Sequence, residues 1–238
     1  MEVQFLYHSG FALLAEQATV FFDLFDPEGK GPALAPLLSR PGALYVLSSH
    51  SHHDHYSIPL MQEILSSRPD AKFILAKEIA KGRRFLPPDA AFLRAGETFS
   101  DGALFVEAHG STDVGVSFYL ELEGKKLFHA GDLNDWHWRE ESTAQEIAKA
   151  HGDFLAVLKP LAQAHPALDA AFFPVDPRMG KDFWQGAAEF LSAIRCRQFF
   201  PMHFWEDFSA VETFQKAMGE AGRCIVPLTR YGQTVPLT

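Results

Sequence analysis

Cysteine is scarce in this chain, which limits what can hold the fold together. Its 238 residues include two cysteines, Cys196 and Cys224, and these form no CxxC pair. Two cysteines in a chain of this length do not make a disulfide framework, so we expect two reduced, partly buried thiols. Stability must therefore come from a packed interior, and the hydrophobic content of 47% is ordinary for a globular protein.

Long apolar runs and an excess of positive charge are also absent. No stretch of about 18 apolar residues is present, and the first residues, MEVQFLYHSG, lack the basic segment and apolar run of a secretory signal. The net charge is -9, and the lysines and arginines are scattered along the chain. We therefore expect a cytoplasmic protein without a membrane segment. Its partner should be a small molecule, because nucleic-acid binding relies on clustered positive charge.

The apolar segments that are present predict one domain spanning residues 1–238, because no linker or repeat divides them. Short β-prone segments fill the first half, and Ala43–Ser48 (ALYVLS) has the continuous apolar pattern of a buried strand. Strands and helices alternate later, so we expect two sheets flanked by helices. The later predicted elements are a helix over Glu140–Ala164 with a break near Gly152, a strand over Ala170–Val175, a helix over Lys181–Ile194, a strand over Gln198–Phe204, a helix over Ala210–Ala221 and a strand over Cys224–Leu228.

A dense cluster of histidines, HSHHDH, follows the apolar strand directly. Histidine is the commonest metal ligand, and aspartate adds hard oxygen donors. In an extended chain His50 and His52 point to the same side and can share an ion. Where the chain bends, Asp54 and His55 can turn toward a second ion, while His53 faces away. The alternative is a loose, adventitious metal-binding tract, but the position after a buried strand favours a built metal site.

One cluster cannot complete two coordination spheres, and three other residues are candidates to do so. His109 follows LFVEA, Asp132 follows FHAG, and His203 follows QFFPM. Each lies where an apolar strand meets a turn, which is where protein scaffolds place functional side chains. We therefore predict that these three side chains complete the metal site.

Taken in order, these motifs resemble the HxHxDH signature and the later ligand motifs of the metallo-β-lactamase superfamily. The resemblance covers nearly the whole chain and implies an α/β fold, the αββα four-layer sandwich in which helices flank two mixed sheets. No cysteine takes a ligand position, unlike in a classical zinc β-lactamase. The resemblance implies a first metal bound by His50, His52 and His109, a second bound by Asp54, His55 and His203, and Asp132 as the bridge.

Weaker motifs resemble the group related to L-ascorbate-6-phosphate lactonase. They are YHSGF at residues 7–11, the Gly-Ser-Thr at 110–112 and FPVDPR at 173–178. Four residues near these motifs and the Asp132 turn are candidates to contact substrate. The alternative for the aromatic residues is core packing, and the alternative for the arginine is simple exposure to solvent. These candidates are His8, Trp136, His137 and Arg178.

These residues predict a metal-dependent hydrolase. The cofactor would be two adjacent divalent cations, either zinc or manganese, with iron also possible. Such ions lower the pKa of a shared water and so supply hydroxide. The hydroxide would attack a small ester or lactone, with or without a phosphate group. Asp54 is the predicted catalytic residue, because it can bind the second metal and also orient the nucleophile. The alternatives left open are a phosphodiesterase with the same site and a non-catalytic metal-binding or sensor protein. Association into a homo-oligomer is also left open.

Overall fold

The strands of the protein form two sheets in a computed structural model that describes residues 1–81 and 85–238. No helix among these residues is long and apolar enough to cross a membrane. The strands are β1 (Glu2–Tyr7), β2 (Gly10–Leu14), β3 (Ala18–Phe22), β4 (Ala43–Ser48), β5 (Lys72–Ala76), β6 (Ala91–Leu93), β7 (Thr98–Ser100), β8 (Leu104–His109), β9 (Ser117–Leu122), β10 (Lys125–His129), β11 (Ala167–Pro174), β12 (Arg195–Met202) and β13 (Thr234–Pro236). The helices are α1 (Ala35–Leu38), α2 (Ile58–Ser67), α3 (Ala144–Ala164), α4 (Gln185–Ala193) and α5 (Ser209–Met218).

Both sheets mix parallel and antiparallel strands. The first has the order β13-β1-β2-β3-β4-β5-β6, and the second has the order β12-β11-β10-β9-β8-β7. Strands β3 to β6 run parallel in the first sheet, and β10 to β12 run parallel in the second. The carboxyl ends of parallel strands open onto one edge of a sheet, which is where such folds place their sites.

Phenylalanines on β11 show how the sheets pack. Phe172 faces the first sheet, with its ring centroid 4.7 Å from Phe11 and 5.6 Å from Phe22. The next residue, Phe173, points the opposite way and contacts Phe190 of α4 at 4.8 Å. This alternation follows from the two-residue period of a strand. One face of the second sheet therefore forms the central core and the other is covered by helices, as the predicted αββα sandwich requires.

The long helix α3 differs from its prediction at its start and in its middle. It begins at Ala144 because Thr143 accepts a hydrogen bond from the backbone N–H of Glu146, whose carboxylate accepts one from the backbone N–H of Thr143. Such a capping box fixes where a helix starts. The predicted break near Gly152 is wrong, since the helix continues through this residue to Ala164.

The predicted strand over Cys224–Leu228 is also wrong. A 3-10 turn ends at Cys224, and Ile225 forms an isolated bridge to Phe199. Pro227 has no backbone N–H to donate, so the pairing cannot extend into a strand. The last strand is instead β13, which the sequence did not predict and which pairs with the edge strand β1.

Candidate metal centre

Side chains that follow β1, β4, β10 and β12 meet at one edge of the sandwich. A residue from the loop between β8 and β9 joins them. These side chains form two groups, in each of which one potential ligand atom per residue lies within 4.8 Å of the others. The first group is His50, His52, Asp113 and Asp132, and the second is His8, Asp54, His55 and His203.

In the first group, donor atoms converge from three segments of the chain. His50 Nε2 lies 3.0 Å from His52 Nδ1 and 3.5 Å from Asp132 Oδ2. His52 Nδ1 lies 3.4 Å from Asp113 Oδ2. The His50 side chain is buried, whereas that of His52 is half exposed. This group therefore offers two imidazoles and two carboxylates at the border between the interior and solvent.

The second group is more deeply buried. Asp54 Oδ2 lies 3.5 Å from His8 Nε2 and 3.9 Å from His55 Nε2. Asp132 Oδ1 lies 3.1 Å from His55 Nε2 and 3.4 Å from His203 Nε2. The two oxygens of Asp132 thus face different groups, which is the placement expected of a bridging ligand.

Several atoms in the centre are buried and have no hydrogen-bond partner among the described residues. They include Nε2 of His8, His55 and His203, and Oδ1 of Asp132. Buried polar atoms in folded proteins are almost always paired. Unpaired imidazole nitrogens that converge with carboxylate oxygens have the chemistry of a binding site for divalent cations. The donor set therefore fits a pair of such ions.

Asp23, the residue after β3, supports two candidate ligands, His55 directly and His50 through Ser49. Its Oδ2 lies 2.8 Å from His55 Nδ1 and accepts a hydrogen bond of 2.6 Å from Ser49 Oγ, while its Oδ1 accepts one of 2.7 Å from Ser49 N. Ser49 Oγ also lies 2.9 Å from His50 Nδ1. Burial would raise the pKa of Asp23, but the charges of His55 and His129 lower it. A carboxylate at Nδ1 leaves the Nε2 lone pair free for a metal.

Asp176, after β11, supports His203 in the same way. Asp176 Oδ2 lies 2.9 Å from His203 Nδ1, and Arg178 Nε donates to the same carboxylate at 3.0 Å. Burial would raise the pKa of Asp176, but its hydrogen bonds to His203 and Arg178 lower it to about 2. Neither supporting aspartate was predicted from the sequence, although each follows an apolar strand, as Asp132 does.

The protonation states suit metal binding at most positions. Burial lowers the pKa of His8 to about 3 and that of His50 to about 4, so both rings are neutral near pH 7. Burial would raise the pKa of Asp132, but the charge of His55 holds it well below its usual range. Burial would lower the pKa of His55, but Asp132 and Asp23 raise it well above its usual value. A metal ion at His55 would therefore have to displace a proton from this ring.

His109 lies outside both groups, contrary to the expectation from the resemblance. Residues 107 and 109 share one face of β8, and His109 Nε2 lies 3.7 Å from Glu107 Oε1. Asp113 reaches the first group instead, because the loop is pinned over the end of β4. Gly115, with a φ of 84°, passes so close to Ser49 that a Cβ there would lie 2.1 Å from the Ser49 carbonyl oxygen.

A cavity of about 440 Å³ opens beside the two groups. Two of the residues proposed from the sequence as substrate contacts, Trp136 and Arg178, line it, and Trp138 lines it beside them. His137 does not line it. This side chain is buried, with Nδ1 accepting a hydrogen bond from Arg139 N and Nε2 lying 3.3 Å from the Asp182 carbonyl oxygen. Both nitrogens of the His137 ring thus contact backbone atoms. The lining residues are His52, Asp54, Thr112, Asp113, Asp132, Trp136, Trp138, Arg178 and His203.

Comparisons with known proteins agree with this fold. No protein-family model matches the chain. A metal-dependent hydrolase of the UPF0173 group from Thermococcus onnurineus is 25% identical over 95% of this chain and 96% of its own length. The structure of the metallo hydrolase Igni18 from Ignicoccus hospitalis matches with a TM-score of 0.68 and 18% identity, covering 98% of this chain and 97% of that one.

A protein from Thermotoga maritima that is assigned to the zinc-dependent hydrolases of the metallo-β-lactamase superfamily also matches. Its TM-score is 0.51 and its identity is 19%, over 91% of this chain and 85% of that one. The matches to solved structures confirm the predicted metallo-β-lactamase fold. The sequence relative is named a metal-dependent hydrolase, which is the class predicted for this chain.

Proposed function

We propose that this protein hydrolyses a small ester or lactone with a pair of divalent cations. The observation that carries the proposal is the pair of four-residue groups that meet at Asp132. Relatives named metal-dependent hydrolases support the reaction class. The proposed ligands are His50, His52, Asp113 and Asp132 for the first metal, and His8, Asp54, His55 and His203 with the second oxygen of Asp132 for the second.

The donor chemistry suggests which ions suit the site. Asp113 contributes a carboxylate where the resemblance implied the imidazole of His109, so the first group contains as many carboxylates as imidazoles. Mixed oxygen and nitrogen ligation suits manganese and iron as well as zinc. When bound, such ions polarise a carbonyl or phosphoryl oxygen and lower the pKa of a coordinated water.

Asp54 is the proposed catalytic residue of the chain. It lines the cavity, and its Oδ2 faces His8 and His55. Burial would raise the pKa of Asp54, but the contact with His8 at 3.5 Å and the charge of His55 hold it below its usual range. Asp54 is therefore an ionised acceptor near pH 7. A carboxylate in that state can orient an attacking water and accept its proton.

The cavity walls suggest a small anionic substrate. Trp136 and Trp138 supply aromatic surface, and the half-exposed guanidinium of Arg178 lies at the rim. Arginine binds carboxylate and phosphate groups through several N–H donors. Asp176 occupies some of these donors, so Arg178 would offer those that remain. A phosphorylated lactone fits this arrangement and the resemblance to the L-ascorbate-6-phosphate lactonase group, and the same guanidinium would also suit a phosphodiester.

The test is turnover by protein reconstituted with manganese or zinc. A lactone panel that includes phosphorylated members is assayed beside an activated phosphodiester, bis(p-nitrophenyl) phosphate. We expect lactone turnover that chelation abolishes and metal restores. Asp54→Asn should lose turnover by a larger factor than it loses bound metal. His53→Gln is the matched control, because His53 lies in the same loop but its side chain is 84% exposed.

Two results would contradict the proposal and indicate another function. Turnover of the phosphodiester with none of any lactone would identify a phosphodiesterase. No turnover of either class by protein shown to hold two ions would favour the non-catalytic metal-binding or sensor protein.

A further inference from the structure

A third group of metal-binding side chains lies away from the metal centre. Glu107 and His109 project from the same face of β8, and His165 follows the last residue of α3. Glu107 lies 3.7 Å from His109 Nε2 through one carboxylate oxygen and 3.3 Å from His165 Nε2 through the other. One potential ligand atom from each residue lies within 4.8 Å of the other two.

Two features of this group point to a ligand. Nε2 of His109 and Nε2 of His165 are both buried and have no hydrogen-bond partner among the described residues. Tyr119 stacks on the His165 ring, with centroids 3.6 Å apart and 15° between the planes, so this imidazole is held in place. Since buried polar atoms are normally paired, two convergent free nitrogens beside a carboxylate need an explanation.

We propose that Glu107, His109 and His165 form an accessory site for one divalent transition-metal ion, with zinc as the best-suited ion. Two imidazoles and one carboxylate are an established zinc donor set, with water in the fourth position. The side chains are 13% to 29% exposed, so an ion can reach them.

The position at the end of α3 favours a cation independently. His165 is the C-cap of this 21-residue helix, and no basic residue lies in its last turn. The carboxyl end of a helix carries partial negative charge from its free carbonyl groups, which stabilises a nearby cation. A bound ion would tie the end of α3 to β8. It would be separate from the reaction at the metal centre.

The experiment counts bound zinc and measures thermal stability in wild-type protein, His165→Gln and His53→Gln. Zinc is titrated into metal-free protein, and bound ions are counted after equilibrium dialysis. We expect His165→Gln to bind one ion fewer than wild type and to lose part of the zinc-induced rise in Tm. His53→Gln should match wild type in both measurements. Because ligand binding stabilises the folded state by mass action, the count and the Tm must change together.

A second variant separates this proposal from the expectation that the resemblance gave. His109→Gln should also lose one ion, yet should retain hydrolase activity and the ions of the metal centre. An unchanged zinc count in His165→Gln would overturn the proposal. So would a loss of hydrolase activity in His109→Gln with none in His165→Gln, because His109 would then belong to the metal centre. Failure of the lactonase proposal would leave the zinc counts unaffected.

Discussion

Replacement of Asp23 by asparagine tests whether the residues behind the ligands set the metal affinity. Asp23 is 1% exposed and accepts two hydrogen bonds from Ser49, while its Oδ2 faces His55 Nδ1. An asparagine side chain at this position would have nearly the same volume but no negative charge. One of its two polar atoms would belong to an N–H₂ group that cannot accept a hydrogen bond. The substitution therefore changes the electrostatics of the site with little change in packing.

Two effects determine how much the Asp23→Asn substitution should weaken metal binding and stability. Loss of a residue that orients a metal-binding histidine typically weakens metal affinity about 10- to 100-fold. An unsatisfied buried polar atom costs roughly 1–3 kcal/mol of folding free energy. We therefore expect the Asp23→Asn protein to bind metal about 10- to 100-fold more weakly and to unfold at a lower temperature. Turnover should recover in part at saturating metal, because His55 itself remains.

The affinity can be measured by competition between metal-free protein and a coloured metal chelator. Asp153→Asn is a suitable control, since Asp153 lies on α3 with its side chain 55% exposed and paired with Lys149. This control should bind metal as wild type does. Wild-type metal affinity in a well-folded Asp23→Asn variant would refute the argument that Asp23 positions His55.

Three further predictions test other parts of the structure. Asp113→Ala should bind one catalytic ion fewer, whereas His109→Ala should retain both, as metal analysis with activity assays can show. Arg178→Gln should raise KM for an anionic substrate about 10- to 100-fold with little change in kcat, since a charged hydrogen bond contributes about 1.5–3 kcal/mol. Burial would raise the pKa of Asp101, but the hydrogen bond from Lys72 lowers it. Its carboxylate therefore stabilises the fold above about pH 4 and less as pH falls through the lowered pKa, so urea titrations should show Asp101→Asn approaching wild type in acid.

The parts of the centre that could be predicted share one property. His50, Asp132 and His203 come directly after apolar strands, and the structure places all three at one edge of the sandwich. Strand patterns indicate where each strand ends, and parallel strands bring their ends together. The positions of these side chains could therefore be predicted without predicting the helices between them.

The roles of other residues in the metal centre depend on tertiary packing. Asp23 and Asp176 also follow apolar strands, but a supporting carboxylate can be recognised only from the histidine that it faces. His8 lies in the turn after β1, where its sequence context suggested a pocket residue. Its place in the second group depends on the approach of the β12 end, where the His203 backbone N–H donates to the His8 carbonyl oxygen at 3.3 Å.

The difference between His109 and Asp113 shows how a motif match and strand geometry can disagree. Matching the motifs by their order along the sequence assigns His109 to the metal centre, because it is the histidine that follows the strand expected to carry the third ligand. Strand alternation assigns it to the outer face, since Val106 and Ala108 fill the core positions of β8. The structure follows alternation, because turning His109 toward the centre would also turn these core side chains outward. A carboxylate four residues later can then take the vacated ligand role, because its loop is tied to Ser49 through Val116 N.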